Sequence, residues 1–267
     1  MAIHPTAIVS PKAELDPGVE VGPYAIIEDH VRVGPRCRVG PHAWLTGWTE
    51  IGPDNIIHYG CVIGHEPQDI GYDGSETFLK IGAGNTFREY TTIHRGAAKD
   101  DRTTRIGDQC YFLAWSHVGH NCAVGNGVLL ASGSLLAGHA QVEDRANISG
   151  NCLVHQFVRI GTLAMMRGGS RVSKDVPPYC VTNFTNDVSG LNAIGLRRAG
   201  VSPENRTLLK QAFRTLYLGG LNVSDALPKL REMRQTPELA HFIEFIASSK
   251  RGICGYHGGE AEGLGEG

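Results

Sequence analysis

Every sixth residue is aliphatic over about two-thirds of this chain. The series opens Ile3, Val9, Leu15, Val21, Ile27, Val33, Val39, Leu45, Ile51, Ile57 and Ile63. Four places after each stands a mostly small residue, such as Ala7, Ala13, Ala25, Cys37, Ala43 and Cys61. The phase survives one interruption to reach Ile81, Phe87 and Ile93. It then returns, shifted by one, from Ile106 and Phe112 through Val118, Leu136 and Val154 to Val172. A helix repeats every 3.6 residues and a strand every 2, so a fixed period of six fits short strands joined by tight corners. Each unit buries its apolar side only by stacking on the next. Glycine after the aliphatic residue, as at Gly22, Gly34 and Gly52, suits a corner that needs either room or a positive φ. Twenty-six units, three to a turn, predict roughly nine turns and a prism on the order of 40 Å long.

Two stretches interrupt the coil: residues 65–80 (HEPQDIGYDGSETFLK) and residues 96–105 (GAAKDDRTTR). Repeat proteins carry such insertions as loops over a binding face. The coil is expected to close near Asp175-Val-Pro-Pro, since prolines cannot continue a ladder. Helical spacing follows: Ser202 caps a helix with Pro203 at its first position, Ser224-Asp225 opens a second with Pro228 in its first turn, and Thr236 caps a third. The chain therefore divides into a coil (residues 1–185), a small helical domain (186–254) and a Gly/Glu-rich tail (255–267) expected to be disordered.

Composition narrows the function classes. The formal net charge of −2 gives no global electrostatic footprint for nucleic acid. No apolar run is long enough to span a bilayer, and the start MAIHPTAIV lacks a signal-peptide layout. Of seven cysteines, Cys37, Cys61, Cys110, Cys122 and Cys152 fall in the small-residue slot of the repeat. They read as reduced packing residues, which points to the cytoplasm.

Histidine carries the chemistry. His117 and His120 flank Val118 in HVGHNC, His139 follows in LAGHA, and His155 in LVHQF. With eighteen residues to a turn, His120 and Gly138 should stack, and by the same arithmetic His139 should lie near His155. Four imidazoles then share one band without any local motif.

The QD loop, TIHRG, HVGHNC, LAGH, VHQF and KDVPPY, in this order before a helical tail, resemble the UDP-N-acetylglucosamine 3-O-acyltransferases that begin lipid A biosynthesis. That resemblance covers nearly the whole chain. It implies a left-handed parallel β-helix followed by a C-terminal helical domain, although the left hand departs from the usual crossover preference. It further implies transfer of a 3-hydroxyacyl group from acyl carrier protein to the sugar 3-hydroxyl, by a homotrimer, without cofactor, metal or covalent intermediate. His120 matches the general base, a task that suits an imidazole neutral at cellular pH, and Gly138 the backbone donor to the oxyanion. Asp69 and His117 match residues holding the glucosamine, Gln68, His155 and Gln156 the diphosphate region, and His139 the acyl path. Asn192 and Arg198 match nucleotide-reading positions, and Met165 and Gly168 the acyl groove. Arg197, Arg198, Arg206, Lys210 and Arg214 form a basic surface suited to an acidic carrier protein.

Three departures stand out: Asn121 where the family typically has Asp, Gly71 where a lysine is common, and Ile194 in place of an acidic residue. The first predicts a modest rate gain for Asn121→Asp, and together they keep a 3-amino UDP-sugar acceptor open. Two other classes compete. A γ-type carbonic anhydrase would hold zinc with histidines of this fold, and a non-catalytic scaffold would need no histidine band.

Overall fold

The computed structural model describes residues 2–256. Twenty-six short parallel strands run from Ala2–Ile3 to Arg171–Val172. They stack into three faces of a prism, the first beginning at Ala2–Ile3, the second at Ile8–Val9 and the third at Glu14–Leu15. On the second face Leu135 lies beside Leu153, and Leu153 beside Arg171, so each uninterrupted turn takes eighteen residues. The coil is a left-handed parallel β-helix.

The six-residue period is the cause. Ile27, Leu45, Ile63, Ile93, Val118, Leu136 and Val154 form one fully interior column behind the second face. The small residues fill the space beside such columns, and all seven cysteines are free and buried. Burial pushes the Cys61 thiol up to about 12, so it stays protonated. Corner glycines answer the choice between room and positive φ. A β-carbon on Gly52 would come within 2.6 Å of the Gly82 carbonyl oxygen one turn away, so room decides. Apart from Gly64, whose φ is 86°, left-handed φ falls on later corner residues, among them Asn121, His139 and Phe157 on successive turns.

Several boundaries differ from the sequence-based expectation. Pro177 and Pro178 do not end the pairing, because Cys180–Asn183 adds to the first face beside Met165–Met166. Asp187–Leu191 then turns back antiparallel. The insertions are shorter than expected, since the third-face strands Phe78–Ile81 and Thr103–Ile106 extend to pair along four residues. Four helices follow among the described residues: α1 (Ala193–Arg198), α2 (Pro203–Tyr217), α3 (Val223–Glu232) and α4 (Pro237–Ala247). Ser202 and Thr236 cap α2 and α4 as predicted. The cap of α3 is Asn222, whose side chain accepts from the Asp225 N–H, so Pro228 falls beyond the first turn.

A buried ion pair docks this domain on the coil. Asp175, 1% exposed, accepts from the N–H and Nε of Arg159 and from the hydroxyl of Ser249. The Arg159 guanidinium also lies 4.1 Å from the ring centre of Phe245. Gly255 bridges to Asp187, and Tyr256 packs edge-on to Phe213, so the fold reaches past 254. The rest of the expected tail lies outside the described residues. Among the described residues, no helix is long and apolar enough to cross a membrane.

Candidate active site

Both insertions leave the coil where the second face turns into the third. The first runs between Val62–His65 and Phe78–Ile81, the second between Thr92–His94 and Thr103–Ile106. On the next turn the same corner carries His120 and Asn121, and on the one after it Gly138 and His139. The period alone therefore gathers loops and imidazoles at one edge.

His120 and Gly138 stack as the arithmetic requires. A β-carbon built on Gly138 would lie 2.5 Å from Nε2 of His120, so no larger residue fits beneath this ring. The Gly138 N–H has no hydrogen-bond partner among the described residues, and Gly138 lines the groove described below. Nδ1 of His120 lies 2.9 Å from Oδ1 of Asn121. His139 stands edge-on to His120, with ring centres 5.2 Å apart.

The neighbouring imidazoles are held neutral. His117 sits 2.7 Å from the Thr92 hydroxyl, and burial, then the charge of His120, lower its pKa. His94, which sequence reasoning left without a role, stands edge-on to His117 and is pushed down to about 4, chiefly by burial. Burial also lowers His139, with a smaller lowering from His120. Asp69 differs: the Gly71 N–H at 2.9 Å and Lys99 at 3.3 Å hold its carboxyl below the usual range. Its loop is anchored by buried Arg95, which donates to the Gly64 carbonyl at 3.0 Å and to the Tyr72 hydroxyl at 3.2 Å.

A groove of about 550 Å³ runs up the second face from this corner. It brings together Gln68, His117, Gly138, His155 and Gln156, with Leu135 and Leu153 exposed on its floor and Arg171 at the far end. A larger hollow of about 700 Å³ lies on the first face, beside His58 and Glu89, and holds none of these imidazoles. Among the described residues, no group of three His, Cys, Asp or Glu side chains is placed to hold a metal ion.

Other expected residues land elsewhere. His139 does not meet His155: eighteen residues on from His139 is Phe157, and their rings stack at 4.4 Å. His155 lies instead one turn above Ala137, with Nδ1 3.4 Å from Arg251. Met165 belongs to the first face and Gly168 to the corner leading from it. Asn192 caps α1, accepting from the Gly195 N–H at 2.9 Å and donating to the Leu163 carbonyl at 2.9 Å. Arg198 ends the same helix, exposed. None of these four lines the groove. The sequence reading missed Thr92, Lys99, Asp100, Leu135, Leu153 and Arg171. Counting eighteen from His117 finds both leucines and Arg171. Nothing in the repeat marks Lys99 or Asp100, because they sit in the insertion.

Fold and corner together define a hexapeptide-repeat transferase. The bacterial transferase hexapeptide (six repeats) model matches residues 103–138, which hold His117, His120 and Gly138. The model described as Udp N-acetylglucosamine O-acyltransferase, domain 2, matches residues 175–254. The chain is 45% identical over 255 residues to the Acyl-[acyl-carrier-protein]--UDP-N-acetylglucosamine O-acyltransferase of Anaeromyxobacter sp. (strain K), covering 95% of this chain and 99% of that one. Its namesake from Burkholderia orbicola (strain MC0-3) is 46% identical, covering 94% and 98%. The crystal structure of the Bacteroides fragilis UDP-N-acetylglucosamine acyltransferase superposes with a TM-score of 0.91 at 39% identity, covering 94% and 99%. The Campylobacter jejuni enzyme does so at 0.91 and 32%, covering 95% and 99%. The chain belongs to the UDP-N-acetylglucosamine O-acyltransferase family.

Proposed function

We propose that this chain moves a 3-hydroxyacyl group from acyl carrier protein to the 3-hydroxyl of UDP-N-acetylglucosamine, the first step of lipid A biosynthesis, in the cytoplasm. One observation carries the reading: Nε2 of His120 lies over Gly138, whose N–H is unpartnered among the described residues, at the end of a groove with an apolar floor. Nε2 takes the hydroxyl proton as the sugar oxygen attacks the thioester carbon. The resulting oxyanion accepts from the Gly138 N–H. Collapse breaks the carbon–sulfur bond, and the imidazolium returns the proton to the departing thiolate. Asp69 and His117 hold the glucosamine, while Gln68, His155 and Gln156 flank the diphosphate. His139 borders the acyl path. The test is acyl transfer to UDP-N-acetylglucosamine and to its 3-amino analogue by wild type and His120→Ala. Turnover is expected on the hydroxyl acceptor and to fall about 10²–10⁴-fold in the variant. Near-normal turnover in His120→Ala would move the base elsewhere.

The working unit we propose is a homotrimer. Met165 and Gly168 lie on or beside the first face, and Asn192 and Arg198 just beyond its last strand, whereas the imidazoles line the second. Cyclic three-fold packing of one chain's first face on its neighbour's second face would complete the site, with Asn192 and Arg198 reading the nucleotide. The corner between those faces carries a ladder of rings in contact, from Tyr24, His42 and Tyr59 to Tyr90 and Trp115. Trp115 is 65% exposed in the single chain, and such a ladder calls for cover. Light scattering is expected to give three chains, and a monodisperse monomer would refute this. The carrier protein docks on α2, where Arg206, Lys210 and Arg214 rim an apolar hollow of about 550 Å³.

A further inference from the structure

The second insertion leaves the coil one turn below His120, and its contacts land on three residues of the candidate site. The Ala97 N–H donates to Oδ1 of Asn121 at 2.8 Å, and Nδ2 of Asn121 donates to the Lys99 carbonyl at 3.0 Å. Nζ of Lys99 lies 3.3 Å from Oδ2 of Asp69. Oδ2 of Asp100 lies 3.0 Å from Nδ1 of His139, the ring standing edge-on to His120.

The two backbone groups decide which way the Asn121 amide points. A backbone N–H only donates, so the atom facing Ala97 is oxygen. A carbonyl only accepts, so the atom facing Lys99 is nitrogen. That same oxygen lies 2.9 Å from Nδ1 of His120. Nδ1 therefore carries the proton, and Nε2 of the neutral ring keeps its lone pair over Gly138.

We propose that Asn121 is a positioning residue that holds His120 in its base-competent tautomer while clamping segment 97–100 over the site. This rests on His120 being the general base. Lys99 and Asp100 carry the clamp onward, one to the carboxylate proposed for the sugar and the other to the ring beside the base. An aspartate at 121 would keep the first task and lose the second. Its carboxylate accepts from His120 and from the Ala97 N–H, but it sets an oxygen against the Lys99 carbonyl, acceptor facing acceptor. The rate gain expected from an ion pair alone is thus offset by release of the arm.

Asn121 has φ of 56°, so truncation to glycine keeps the backbone, whereas alanine would add strain. The experiment compares full-length wild type, Asn121→Gly and Asn121→Asp. It combines ¹⁵N shifts of labelled histidine, hydrogen exchange over residues 97–102 and transfer kinetics. Wild-type His120 is expected to show protonated Nδ1 and bare Nε2. Asn121→Gly should mix the tautomers, quicken exchange and lower kcat about 10- to 100-fold, with KM for UDP-N-acetylglucosamine little changed. Asn121→Asp should keep the tautomer and the Ala97 N–H bond yet lose the protection of residues 99–102. Unchanged tautomers in Asn121→Gly, or wild-type exchange in Asn121→Asp, would overturn the proposal. The ring shifts are read without substrate, so an inactive wild type would count against the functional reading and not against this one.

Discussion

Two glycines separate conformational need from chemical need. Gly138 lies under the His120 ring, and even one added methyl would have to displace Nε2. Gly138→Ala is expected to fold, because its φ lies outside the left-handed region, yet to lose about 10²-fold in kcat. Steady-state kinetics beside a melting curve checks this, and a normal kcat would mean that the base stands elsewhere during the reaction. Gly168 is the opposite case. A β-carbon there would meet only the Gly150 carbonyl oxygen at 3.5 Å, while the neighbouring Gly169 holds the positive φ. The coil itself does not require glycine at 168. Gly168→Met should therefore fold and, in the proposed trimer where the first face of one chain packs on the second face of its neighbour, narrow the far end of the neighbour's groove, swinging preference to shorter donors by about 0.8 kcal/mol for each methylene kept from burial. An unchanged chain-length profile would place the acyl path elsewhere.

At the scale of elements, the pair of interior Asp175 with Arg159 ties the helical domain to the coil, beside a second pair of Glu143 with His241. Asp175 is fully interior, and its partners Arg159 and Ser249 come from the coil and from the segment after α4. Arg159→Ala would leave that carboxylate unpaired and remove the cation from the Phe245 ring. The expected loss is about 3 kcal/mol or more, read by urea unfolding. A loss under 1 kcal/mol would show that other contacts hold the domain. Helix starts were legible because Ser202-Pro and Thr236-Pro pair a capping oxygen with a residue preset for the first turn. The start of α3 was misplaced because Asn222 and Ser224 are both good caps, and only packing chose between them. The short α1 went unread because six residues carry too little periodicity to stand out.

Across the whole molecule, the histidine cluster makes stability depend on pH. His94 is held at about 4 by burial, with lesser lowering from His117, His65 and His120, against 6.5 when unfolded. Between those values the unfolded chain binds a proton that the folded one refuses, so stability falls as pH drops through that window. From pH 7 to 5 the expected loss is about 2 kcal/mol per chain, and lowered His117 and His139 act in the same direction. His241 works oppositely. Its hydrogen bond to Glu143 raises it, so its contribution is present below 6.5 and is lost as pH rises through its folded value. Denaturant midpoints at pH 7 and pH 5 measure the sum. A His241→Gln variant removes the opposing contribution, and equal midpoints in it would mean that the cluster opens to water before the chain unfolds.

The repeat by itself determined the prism, its three faces, the buried cysteines and the stacking of His120 on Gly138. A period of six with eighteen residues to a turn converts sequence distance directly into spatial distance. That conversion fails wherever the chain leaves the coil. Lys99 and Asp100 reach Asp69 and His139 through a loop whose path no period encodes. At the corner it holds even against the expectation of a His139–His155 pair: eighteen residues on from His139 is Phe157, and His155 falls two positions short of it. Asn121 divides between the two levels. Its identity is plain in the sequence, but its amide orientation, and through it the proton on His120, is decided by two backbone groups that only the folded loop brings within reach.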